Sequence, residues 1–197
     1  MDKFYLYIVL TRTNTALSKL IQIIKKDQYT HAAISLDKEL NHMYSFGRKK
    51  TYNPFIGRFK KEDLNEGIYK FCDTLPGVIL EVGVSEQQYK RAKELIDHFK
   101  NNSHLYKYNY KGLIHCLLNK TSCSDERFLC SEFVYFILKE SGVVDLNISR
   151  NLVRPQNLRS IEGRIIYDGN LKELKSPKDM DLYNSEIKIR RLSEIYE

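Results

Sequence analysis

Phe128-Leu129-Cys130-Ser131-Glu132-Phe133-Val134-Tyr135-Phe136-Ile137-Leu138-Lys139-Glu140-Ser141-Gly142 carries the pattern that decides the fold. Its apolar residues Phe133, Val134, Phe136, Ile137 and Leu138 recur at the three-to-four spacing of a buried helix, and Gly142 supplies a left-handed stop. That spacing puts Cys130 in the first helical turn. Unpartnered backbone N–H groups and the positive end of the helix dipole favour thiolates over thiols at such positions. A cysteine so placed is a candidate nucleophile when a base lies beside it. Without one it is a small buried hydrophobe that packs.

The chain of 197 residues has room for one domain with a substantial core and not for two. We expect a domain over 1–170 and a polar tail over 171–197, because after Lys172 the charge is mixed, the apolar pattern is thin and Ser176-Pro177 breaks it. A short helix near 185–195 is expected within that tail. With 42% apolar and 29% charged residues, global disorder is excluded. The apolar run at the N-terminus is too short for a signal peptide, and no stretch is long enough for a transmembrane segment. The four cysteines, Cys72, Cys116, Cys123 and Cys130, include no C-x-x-C pair, which excludes a zinc ribbon and a thioredoxin motif. Free thiols fit a reducing compartment, so a cytoplasmic location is expected. The net charge of +7 is concentrated: 48–61 holds Arg48, Lys49, Lys50, Arg58, Lys60 and Lys61 and no acidic residue. Such a block meets an anionic partner or, as charge runs more often do, forms a solvated loop.

Residues 4–10, rich in Tyr, Ile, Val and Phe, read as a strand. Thr13 or Asn14 then caps a helix with Leu17, Leu20, Ile21, Ile23 and Ile24 on one face. Residues 29–36 and 43–46 form a hairpin about Asp37-Lys38-Glu39, closed by Gly47. Residues 48–66, with Asn53-Pro54 and Gly57, read as a loop with one short strand near 55–59. The runs 68–73 and 78–84 flank Leu75-Pro76-Gly77 and are expected to pair. Ser85 with Gln88 makes a capping box for a helix through Tyr89, Ala92, Leu95, Ile96 and Phe99. Alternating Tyr106, Tyr108 and Tyr110 precede a helical Leu113, Ile114, Leu117 and Leu118. Pro155 opens a helical turn to Leu158, and 163–167 is a further strand.

A nucleophilic cysteine needs a base within hydrogen-bond reach and a third group that holds the base in one tautomer. Of His31, His42, His98, His104 and His115, the best candidate is His31. It opens the strand His31-Ala32-Ala33-Ile34-Ser35-Leu36, where a rigid backbone fixes the ring and small alanines leave it space. The plain alternative is a strand-end histidine with no chemical role. His98 lies on the polar side of its helix, His104 in a loop, His115 beside Cys116, and His42 near the hairpin turn.

Three pieces in this order, Tyr29-Thr30-His31-Ala32-Ala33-Ile34-Ser35-Leu36-Asp37, Met43-Tyr44-Ser45-Phe46-Gly47-Arg48 and Leu129-Cys130-Ser131-Glu132-Phe133-Val134, resemble the circularly permuted papain-like cysteine hydrolases of the NlpC superfamily. This branch holds the bacterial YiiX/YaeF-like proteins and the lecithin:retinol acyltransferase relatives. The resemblance spans about 4–167. It implies an α+β, permuted papain-like fold, with a mostly antiparallel sheet or small barrel packed against the Cys130 helix and other helices. It puts the nucleophile at Cys130 and the base at His31. The family's third residue, often His or Glu on the strand after the histidine strand, falls nearest Ser45, or His42 if the register slips; both depart from the usual orienting group. The Cys130 main-chain N–H would be the oxyanion donor, with a hydroxyl from Tyr5 or Tyr7 as a further candidate.

The implied chemistry is attack on a carbonyl, a thioester, and its resolution by water or by an acceptor amine or hydroxyl. The expected activity is that of an amidase or peptidase-like hydrolase, with acyltransferase as the alternative. The substrate is then a small-molecule, peptide or lipid-like compound carrying an amide or ester, whose anionic group could meet Arg48, Lys49 and Lys50. No metal or cofactor is expected, and no nucleic acid. Two competing readings remain: a polyanion-binding module built on the basic block and exposed tyrosines, and an inactive protein of the same fold.

Overall fold

Runs of Val, Ile, Tyr and Phe build one open six-stranded sheet of order β4-β3-β2-β1-β5-β8. The strands are β1 (Phe4–Thr11), β2 (His31–Ser35), β3 (Met43–Lys50), β4 (Asn53–Glu62), β5 (Pro76–Val84) and β8 (Arg164–Asn170). Every pairing in it is antiparallel. Two further strands, β6 (Lys107–Tyr108) and β7 (Arg127–Phe128), make a short parallel ribbon. This computed structural model describes residues 3–13, 23–50, 53–67, 69–121, 124–174, 179–180 and 183, with 48–50 and 53–56 described as backbone alone.

The helices are α1 (Glu86–Asn101), α2 (Tyr110–Leu117), α3 (Cys130–Glu140) and α4 (Pro155–Leu158). The capping box expected at the start of α1 is formed: Gln88 N–H donates to Ser85 Oγ at 3.1 Å, and Ser85 N–H to Gln88 Oε1 at 2.9 Å. Helix α3 packs on β2 and β3, and α1 packs on α3, β1 and β4. Between helices and sheet lies an aromatic cluster. The Phe99 ring of α1 sits 5.1 Å from Phe133 of α3, 5.2 Å from Phe128 and 5.9 Å from both Phe46 and Phe59. Three of these pairs are edge-to-face and Phe59–Phe99 is stacked, geometries that add to the area each ring buries.

The other face of the sheet is covered as well, by Tyr69, Leu75, Leu171 and Met180 packed on Tyr7, Val9, Ala33, Met43 and Ile79. Burial on both faces explains why β1 reads as a continuous apolar run instead of an alternating one. Beyond residue 170, Leu171 and Met180 are buried and Tyr183 packs 5.2 Å from Tyr167. The expected helices over 14–24 and 185–195 lie outside the described residues except for 23–25, which are helical. No described helix is long and apolar enough to cross a membrane.

Three expectations are corrected. Of the two forms expected, the mostly antiparallel sheet holds and the small barrel does not: β4 and β8 are the two edges, and β4 meets the β6–β7 ribbon instead of β8. Residues 48–50 and 53–62 lie in the paired strands β3 and β4 and not in a loop. Strand β3 runs through Gly47, and β4 accommodates Pro54 and Gly57 because it is an edge strand, where a missing donor is tolerated. Of the run 68–73, the described residues 69–73 form no strand; Tyr69–Phe71 is a 3-10 turn, and β5 pairs with β1 and β8.

Candidate active site

Cys130 is the first residue of α3, and the start of that helix is fixed by side chains. Leu129 is extended, and its N–H donates to Glu132 Oε2 at 2.9 Å, half of a capping box. The amide of Asn109 donates to Glu132 Oε1 at 3.2 Å, while Asn109 Oδ1 accepts from Gly112 N–H at 2.9 Å. One asparagine therefore ties the starts of α2 and α3 together. Burial pushes the Glu132 carboxyl up, opposed by the Leu129 N–H and the Asn109 amide. The first helical bond runs from Phe133 N–H to Leu129 O at 3.0 Å. The N–H groups before it, that of Cys130 included, have no acceptor within the helix.

His31 opens β2 opposite Thr11 of β1. Ala32 and Ile34 face the aromatic cluster, so alternation turns His31 and Ala33 to the other face. There the ring meets Glu62, the last residue of β4: His31 Nε2 lies 3.1 Å from Oε2 and 3.2 Å from Oε1. Cys130 is near enough to act on the same ring, adding to Glu62 in favouring its charged form. With Nε2 engaged by the carboxylate, Nδ1 is the nitrogen that can serve the sulfur.

Glu62 is fully buried yet fully satisfied. Ser45 Oγ donates to Oε1 at 2.7 Å, Tyr69 OH donates to Oε2 at 2.7 Å, and Lys60 Nζ lies 3.1 Å from Oε1. Burial alone would raise the Glu62 carboxyl, but His31, then Lys60 and Ser45, hold it well below the usual carboxylate range. Burial alone would lower the His31 imidazole; Glu62 and then Cys130 outweigh it and hold the ring above its usual range. Burial, followed by the Glu62 charge, pushes the Tyr69 phenol up.

Of the residues picked out in the sequence, Cys130 and His31 come together. Ser45 contacts Glu62, and the orienting contact on the ring is made by Glu62 itself. His42 sits at the β2–β3 turn, its side chain 60% exposed, with Nδ1 2.8 Å from Asp37 Oδ2. The Tyr7 hydroxyl is engaged with Glu81, and Tyr5 is partly buried beside the Tyr7 cluster. Within the basic block Lys60 is paired with Glu62, Arg58 and Lys61 are exposed, and Arg48, Lys49 and Lys50 lie at the end of β3. Cys123 lies outside the described residues. Glu62 was missed because 48–66 reads as a loop, and Tyr69 because 68–73 reads as a strand. Continuing the β3 hairpin in register, which sets Glu62 opposite Met43, is the signal that would have found Glu62. No group of His, Cys, Asp and Glu suited to hold a metal occurs among the described residues. Compared with known proteins, the chain matches no family model, no curated protein and no solved structure.

Proposed function

We propose that this chain is a cysteine-nucleophile hydrolase of permuted papain-like fold that cleaves an amide or ester through a thioester. One observation carries the reading: the carboxylate of Glu62 lies 3.1 Å from Nε2 of His31, Cys130 is near enough to act on the same ring, and its sulfur sits at a helix start. A sheet of antiparallel strands with a cysteine-led helix packed across it, and the base and its carboxylate before the nucleophile in the chain, supports the permuted arrangement.

In the acylation step the proton shared by Cys130 and His31 stays on the ring as the Cys130 sulfur bonds to the carbonyl carbon. The carbonyl oxygen takes the electron pair and is met by the Cys130 N–H. His31 returns the proton to the leaving amine or alcohol as its bond to carbon breaks. Water then attacks the thioester, gives a proton to His31, and the carbon–sulfur bond breaks as the thiol re-forms. Glu62 stays ionised throughout, fixing the tautomer and stabilising the charged ring.

Site-resolved alkylation tests this. Exposure alone would make half-buried Cys72 react faster with iodoacetamide than buried Cys116 or Cys130. The expected result at neutral pH is that Cys130 reacts fastest, and that His31→Ala slows it at least about tenfold while Cys72 is unaffected. Reactivity that follows exposure, or a Cys130 rate indifferent to His31, overturns the proposal.

A further inference from the structure

A second feature beside Cys130 points to the group the enzyme would hold on the acyl side of the scissile bond. A narrow cleft borders Cys130. Its apolar wall is made by Leu113, Leu117, Leu129 and Pro155. Into this wall are set Asp27, Arg154 and Lys25. The Asp27 side chain is only 4% exposed. Its Oδ1 accepts from Arg154 Nη1 at 2.7 Å, while its Oδ2 is buried with no hydrogen-bond partner. A buried carboxylate oxygen without a donor loses its hydration and gets nothing back, so an orphan in a cleft beside a nucleophile marks a place for a ligand's donor. The other elements of the pocket are committed: Lys25 Nζ donates to Asn119 Oδ1 at 2.8 Å, and Arg154 N–H caps α4 through Asn157 Oδ1 at 2.9 Å. The frame that holds Asp27 is thus built by side chains from three separate parts of the chain.

Resting on the hydrolase reading, we infer that this cleft is the acyl-side subsite, and that it takes an apolar residue whose neutral amide N–H donates to Asp27 Oδ2. The walls select a leucine-like body. The orphan oxygen selects a donor. The charges choose the kind of donor: Lys25 and Arg154 outweigh Asp27, so an ammonium would enter a cleft of net positive charge, whereas an amide N–H would not. The substrate class is accordingly an N-acylated amino acid or a peptide with an apolar residue before the bond that is cut, and not a free aminoacyl group.

Chloromethyl ketones that alkylate Cys130 read this directly. The sulfur–carbon bond forms, chloride leaves with its electron pair, and the proton shared by Cys130 and His31 stays on the ring. Rates are measured on the native chain with N-acetyl-leucine chloromethyl ketone, its N-methylated analogue, which lacks the N–H, and leucine chloromethyl ketone, which carries an ammonium. Each is divided by its rate with glutathione. The expected order is acetylated fastest, the N-methyl analogue slower by about tenfold or more, as one hydrogen bond to a buried charge implies, and the free amine also slower. In Asp27→Leu combined with Arg154→Met, which removes the ion pair as a unit, the N-methyl penalty is expected to vanish. Equal rates for the N–H and N-methyl reagents, or a penalty that survives in the double variant, overturn the subsite even where His31-dependent alkylation of Cys130 stands. A free amine that reacts fastest overturns the neutral donor. Loss of the His31 dependence instead removes the hydrolase reading, and the subsite with it.

Discussion

Both faces of the central sheet are covered by apolar clusters, but only one of them also buries a charged network. On the helix side Phe46, Phe59, Phe99, Phe128 and Phe133 interlock with no polar partner required. On the other side a fully buried carboxylate, Glu62, is surrounded by His31, Lys60, Ser45 and Tyr69. The aromatic face stabilises by area and packing. The polar face does not repay its desolvation in stability to any comparable extent, since buried ion pairs roughly break even against apolar replacements. What it does achieve is position: four partners fix one carboxylate, and the carboxylate fixes one ring. Helix α3 joins the two regions, because Phe133 anchors it in the aromatic cluster while Cys130, one turn earlier, reaches the ring at the end of β2.

Substitutions on the two faces should therefore separate stability from activity. Phe133→Ala is expected to lower unfolding free energy by about 3–5 kcal/mol, read from urea denaturation, as truncated core aromatics do. Glu62→Gln is expected to cut kcat by about 10²–10⁴-fold with a smaller change in KM. The Gln amide can donate to Nε2, which puts the ring proton on the nitrogen that should receive the thiol proton. A Phe133 variant that keeps its stability, or a Glu62 variant that keeps its turnover, would erase the contrast between the faces.

The pH dependence of stability sharpens the same contrast. His31 has a folded value above its ordinary 6.5, so its contribution is complete below about 6.5 and is lost as pH rises toward the folded value. Glu62 has a folded value below its ordinary 4.5, so its contribution is complete above about 4.5 and is lost as pH falls below that. The pair thus stabilises most between about 4.5 and 6.5. Subtracting the pH–stability curve of Glu62→Gln from that of the native chain should leave a maximum in that window; a flat difference would contradict the pairing. The smallest effect is expected for Ser45→Ala, which removes one of several donors to Glu62: a loss of about 1–3 kcal/mol in stability and less than tenfold in kcat.

Local pattern made part of this architecture legible in the sequence. The period of 128–142 gives α3 with Cys130 at its head, Ser85 and Gln88 give the start of α1, and the run from Tyr29 to Leu36 gives β2 with His31 near its start. Glu62 escaped for two physical reasons. Pro54, Gly57 and the run of lysines are loop signals, yet an edge strand tolerates all of them, and edge status is a property of the assembled sheet. The contact with His31 also depends on the register of β3 against β4 across a hairpin, which side-chain type alone does not set. Residues 68–73 misled in the other direction: a short apolar run fits a strand or a helical turn equally, and Tyr69 is spent on burial and on the Glu62 carboxylate. Ser45 was found by position in the right strand, and it stands one hydrogen bond further from the ring than its expected role required.

The most direct measurement is the titration of the His31 ring by NMR in the native chain, in Glu62→Gln and in Cys130→Ala. The expected result is a native ring that titrates well above 6.5 and moves down in both variants, further when Glu62 is changed because its charge is the larger influence. A ring that titrates near 6.5 in all three proteins would mean that carboxylate, imidazole and sulfur do not act together.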